Sequence, residues 1–120
     1  MAIDGNQFVR VSHRVRNAIG YMELGMTQRA LDHLEEIGEL GPFEAAVDLL
    51  RGEAYRILRR WDDATESFEK AAHKFTDPHD RSAWFALSQC LREAGDVDRA
   101  IQTLAHARGA KPSAPWSPSG

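Results

Sequence analysis

Apolar residues recur at helical spacing along most of the chain, for example Val11, Val15, Ala18 and Met22, then Val47, Leu50, Ala54 and Ile57. Steps of three and four place such residues on one side of a helix that turns about every 3.6 residues. The pattern predicts six helices, over about 8–24, 27–38, 43–58, 62–75, 79–94 and 97–109. Thr27 and Asp96 stand where an N-cap side chain is needed. Gly41-Pro42 and Asp77-Pro78 each open a new helix with proline near its first turn. Gly25, Arg59-Arg60 and Gly95-Asp96 mark tight turns between helices.

Three segments share one spacing. Ala30, Ala64 and Ala100 are the anchors, 34 and 36 residues apart. The same offsets recover Tyr21, Tyr55 and Leu91 upstream, Leu34, Phe68 and Leu104 downstream, and then Ile37, Ala71 and Ala107. Small residues recur at Ala18, Gly52 and Ser88, where a missing side chain lets a neighbouring element approach closely. Prolines follow the units at Pro42, Pro78 and Pro112. A repeated unit of two antiparallel helices, stacked on its copies, is the natural reading.

This arrangement resembles the tetratricopeptide repeat family. The second copy carries the resemblance best, with Gly52, Tyr55, Trp61, Ala64, Phe68 and Ala71 in the family's order. The third adds Trp84, Leu87, Leu91, Gly95, Ala100, Leu104, Ala107 and Pro112, and the three together cover about residues 11–112. The resemblance implies an all-α fold, a right-handed superhelix of three helix-turn-helix repeats. On that division residues 1–10 are an N-terminal extension and 11–110 hold the repeats, at about 11–44, 45–80 and 81–112. Residues 111–120 form a proline-rich tail. Two features depart from the family pattern. Arg14, Asn17, Asp48 and Arg51 stand where large apolar residues are usual, and two additional residues within Phe75 to Asp80 lengthen the loop before the third copy.

Members of the family work as protein-binding surfaces, with the first helix of each unit lining a concave wall. Carried onto this chain, the wall comprises Ser12, Val15, Ile19 and Met22, then Ala46, Leu49, Glu53 and Arg56, then Ser82, Phe85, Gln89 and Arg92. It is apolar at Val15, Ile19, Leu49 and Phe85 and polar at Glu53, Arg56, Gln89 and Arg92, which suits a segment with apolar side chains and an acidic flank. The same apolar residues also read as plain inter-helix core. Some relatives hold the acidic tails of heat-shock chaperones with a clamp of lysine, asparagine and arginine. The matching positions here are Val15, Ile19, Ser82 and Ala86, which lack the donors that clamp requires.

Composition narrows the partner further. The net charge is −3, from 15 basic and 18 acidic residues mixed along the chain, so no basic stripe is available for a phosphate backbone and nucleic acid is not expected. No apolar run approaches the roughly 18 residues of a membrane span, and a cytoplasmic protein is the expectation. Cys90 is the sole cysteine and reads as a small buried residue. His13, His33, His73, His79 and His106 are scattered, with no pair four apart on one helix, so neither a metal nor another cofactor is expected. Without a phosphate loop, nucleophile elbow or paired carboxylates in a shared pocket, catalysis is not expected either.

The last predicted helix runs into GAKPSAPWSPSG, leaving Ile101 and Leu104 candidates for an uncovered face. Trp116 folding back, or weak homodimerisation through end faces, are ways to cover it. The leading reading is a module that binds a partner peptide or helix in its groove. The alternatives are a small chaperone similar to the three-repeat chaperones of bacterial secretion systems, and a self-assembling scaffold.

Overall fold

Six helices follow one another in the computed structural model, which describes residues 4–36, 41–76 and 79–108: α1 (Gly5–Glu23), α2 (Thr27–Glu35), α3 (Glu44–Ile57), α4 (Trp61–Lys74), α5 (Asp80–Glu93) and α6 (Val97–Ala107). No strand occurs among the described residues. Ile37, Asp77, Pro78, Pro112, the 111–120 segment and Trp116 within it lie outside them.

The helices pair through one turn, used three times. In each, a backbone N–H reaches back five residues, from Met26 to the Tyr21 carbonyl at 2.8 Å, from Arg60 to Tyr55 at 2.8 Å and from Asp96 to Leu91 at 2.9 Å. The residue before each donor lies in the left-handed region: Gly25 at φ 76°, Arg59 at φ 60° and Gly95 at φ 93°. This is the Schellman ending, which satisfies helix carbonyls that would otherwise be orphaned. Glycine adopts it freely; Arg59 adopts it against its Cβ, at a cost of about 1–2 kcal/mol. Part of that returns because arginine has less freedom than glycine to lose on folding. Arg59→Gly is therefore expected to raise stability by about 0.5–1 kcal/mol; an unchanged urea midpoint contradicts this.

Two helix starts differ from expectation. α1 begins at Gly5, earlier than the apolar period suggests, because Asp4 and Gln7 form a capping box: Gln7 N–H donates to Asp4 at 2.8 Å and Asp4 N–H to Gln7 Oε1 at 3.0 Å. The N-cap of α2 is Met26, not Thr27, which is the first helical residue and is buried. The Schellman turn fixes the chain direction there without a capping side chain. Asp96 does cap α6, accepting from Arg99 N–H at 3.3 Å. Gly41-Pro42 opens a single 3₁₀ turn, Gly41–Phe43, with α3 following at Glu44.

The three anchor alanines are buried, and so are Ala18, Gly52 and Ser88. Gly52 shows why small size matters there: a Cβ at this position would lie 2.7 Å from the Phe68 ring. The apolar core has two parts. Ala18, Ala30, Leu34 and Val47 pack with Val15, Tyr21, Met22 and Leu50 across α1, α2 and α3. Phe68, Leu87, Cys90, Leu91 and their neighbours join α4, α5 and α6, with Leu49 and Trp84 shared by a small alanine cluster of Ala71, Ala72 and Ala83.

Between these parts runs a polar seam, formed by two of the residues that depart from the family pattern. Arg51 donates to the Leu34 carbonyl at 2.8 Å, serving the end of α2. Asp48, with a side chain 6% exposed, is bound by Lys74 at 2.5 Å and faces Arg51 at 3.6 Å. A third such residue, Arg14, pairs with Glu36 at 2.6 Å within the first unit, where both side chains are exposed. Beside the seam, Glu35, Asp48, Arg51, Tyr55, Asp63 and Ser67 line a cleft of about 220 Å³. The first unit thus meets the second partly through the hydrogen bond of Arg51 to the Leu34 carbonyl, whereas the second meets the third through an apolar face flanked by the ion pairs of Arg56 with Glu93 and Arg99 with Glu69. Asn17 stays exposed.

Candidate binding groove on the first helices

The expected wall residues lie on α1, α3 and α5 and differ in how much they show. Ile19 is 40% and Phe85 48% exposed, so both present carbon at the surface. Val15 and Met22 are half-buried against the first apolar cluster, and Leu49 against the second and third. Those three side chains hold helices together and offer only an edge. Ile57, 49% exposed beside Arg56, adds an apolar surface that the family spacing did not select.

The polar residues expected on the wall fall into two hydrogen-bonded groups. Arg56 donates to Glu53 on its own helix at 2.8 and 3.0 Å and to both oxygens of Glu93 on α5 at 3.2 Å. The hydrogen bond to Glu53 is the main reason its guanidinium is held above the ordinary arginine value, with Glu93 contributing and burial opposing. Arg56 therefore ties the second unit to the third, with its charge already matched by two carboxylates. Arg92 donates to the neutral Gln89 at 2.8 Å and is exposed; among the described residues no carboxylate is ion-paired with it. Glu93 carries no signal of its own in the sequence, because its role arises from Arg56 one unit away. Repeat spacing does bring its neighbour Arg92 into register with Arg56.

Other candidate chemistry resolves into packing. Burial pushes the Cys90 thiol up to about 11, with Glu93 adding to the effect. Modification of Cys90 by a thiol reagent at neutral pH is expected to be about two orders of magnitude slower in the native chain than in urea, following the loss of thiolate; equal rates contradict the burial. His73 and His106 flank Trp84, with ring centroids 5.1 and 4.5 Å away, and so clamp α5 between α4 and α6. No group of three potential metal ligands is present among the described residues. Likewise no described helix is long and apolar enough to cross a membrane.

A family model described as tetratricopeptide repeat matches residues 15–74 and again 58–115, together most of the chain. The protein belongs to the tetratricopeptide repeat family. No curated protein matches it. The helical pairs, shared turns and small-residue positions described above agree with that family, whose repeats generally mediate protein–protein interaction and are typically not catalytic.

Proposed function

We propose that this tetratricopeptide array is a non-catalytic interaction module, acting in the cytoplasm, that holds a peptide or helix of a partner protein along α1, α3 and α5. The observation that carries the reading is the exposed carbon of Phe85 and Ile19 beside the polar set of Arg56, Gln89 and Arg92. Val15, Met22 and Leu49 form the floor, and Glu53 orients Arg56. Curvature into a right-handed superhelix belongs to this proposal. The charge pairing sharpens the partner's chemistry: Arg56 has two carboxylates already, so an acidic flank is met by Arg92. The other readings are a chaperone for unfolded clients and a scaffold built by weak self-association.

Affinity capture from native extract, comparing the wild-type chain with Phe85→Ala and with Arg92→Glu, tests this. One defined partner, retained by wild type and weakened at least about 30-fold by either substitution, is expected for a binding hot spot. Helicity is expected to stay unchanged, since both side chains are exposed. Equal recovery by both variants removes the groove assignment. Recovery of many unfolded clients favours the chaperone, and of self alone the scaffold.

A further inference from the structure

The surface of α6 carries an apolar strip that the groove does not use. Val97 is 54% and Ile101 63% exposed, with Leu104 and Ala105 half-buried alongside. In repeat register these correspond to Trp61, Thr65, Phe68 and Glu69 of α4, and on α4 the face containing Trp61 and Phe68 packs against α5. The strip is therefore built like a helix-docking face. A charge stands towards each end: Asp98 in the first turn and Arg108 at the C-cap, both exposed and neither ion-paired among the described residues.

We infer that α6 pairs with α6 of a second copy, antiparallel, about a two-fold axis level with Thr103. That axis sets Asp98 opposite Arg108 of the other copy and Ile101 opposite Ala105, a large side chain over a small one. Each combination occurs twice by symmetry, as a self-complementary surface requires. Antiparallel pairing also sets the positive N-terminal end of each helix beside the negative C-terminal end of the other. One register thus satisfies charge, size and dipole together. A strip one helix long buries less than the roughly 1,200 Å² of the smallest stable interfaces, so the dimer is weak, with a Kd on the order of 100 μM. This deepens the self-association reading and is independent of partner binding on α1, α3 and α5.

Sedimentation equilibrium of the full chain, from about 10 μM to 1 mM, is the test. Wild type is expected to dimerise across that range, and Ile101→Glu to weaken the dimer at least tenfold with unchanged circular dichroism. Asp98→Arg and Arg108→Asp each weaken it, and the double exchange restores it, because like charges then become opposite again. A monomeric wild type at 1 mM overturns the inference, as does dimerisation indifferent to Ile101→Glu or failure of the double exchange to recover. A monomer whose Ile101 methyl group is nonetheless shielded from solvent in NMR indicates a different occupant and equally overturns it. Phe85→Ala is expected to leave the dimer intact, so the groove and the dimer face can fail separately.

Discussion

Phe68→Ala is expected to cost about 3–5 kcal/mol, the range for truncating a fully buried aromatic side chain. Phe68 is completely buried at the junction of the second and third units, and its ring occupies the space left by Gly52. The more discriminating experiment exchanges the pair. Gly52→Ala alone sets a methyl group 2.7 Å from the ring, and overpacking of this kind costs about 1–3 kcal/mol. The better helix propensity of alanine returns up to about 1 kcal/mol, leaving a net loss. In a Phe68→Leu background the same change is expected to be neutral or stabilising, since the ring is gone and the methyl group refills part of the cavity. The other units already use such pairs, Ala18 with Leu34 and Ser88 with Leu104. Chemical denaturation of the two single variants and the double variant measures the coupling; strict additivity contradicts the proposed contact.

Lys74→Met is expected to destabilise the chain by about 2–3 kcal/mol. It leaves the buried Asp48 carboxylate with only Arg51, 3.6 Å away, and removing one partner of a buried ion pair costs about 3–5 kcal/mol. The smaller figure reflects a lysine side chain that is 34% exposed, where water screens part of the interaction. Adding Asp48→Leu to Lys74→Met is expected to recover most of the loss, since an apolar residue of similar size needs no counter-charge. Thermal denaturation of the single and double variants checks this, and no recovery contradicts it. The same lysine leads, through its hydrogen bond, in holding the Glu44 carboxyl below its ordinary value. A carboxyl with a depressed folded value contributes stability above its unfolded pKa and loses it as pH falls through the folded one. The Glu44–Lys74 contribution is therefore present at neutral pH and disappears on acidification below the usual carboxylate range.

What could be read from the chain follows physical locality. Burial of Ala30, Ala64 and Ala100 was legible because a helix repeats its inward face and a stacked unit repeats its helices. The strained Arg59 is legible only through register with Gly25 and Gly95, since an arginine carries no sign of positive φ. The start of α1 was present in the Asp4–Gln7 spacing but hidden by reliance on the apolar period, which begins at Phe8. At the proposed groove, residue types and their placement on first helices could be anticipated. The division between Phe85, which is open, and Leu49, which packs against two clusters, depends on neighbouring units. Arg14, Asp48 and Arg51 were visible as departures, but their meaning required Glu36, Lys74 and the Leu34 carbonyl, which are 17 to 26 residues away. The pairing of Arg56 with Glu93, 37 residues on, belongs to the same class.

The central claim, that the first helices form the binding wall, is tested most directly by a photo-crosslinking amino acid placed at position 85 and, separately, at the exposed position 66 on α4. In native extract the account predicts one discrete crosslinked partner from position 85, lost on adding Arg92→Glu, and none from position 66. The same partner captured equally from both positions, or capture from position 85 unaffected by Arg92→Glu, would contradict it.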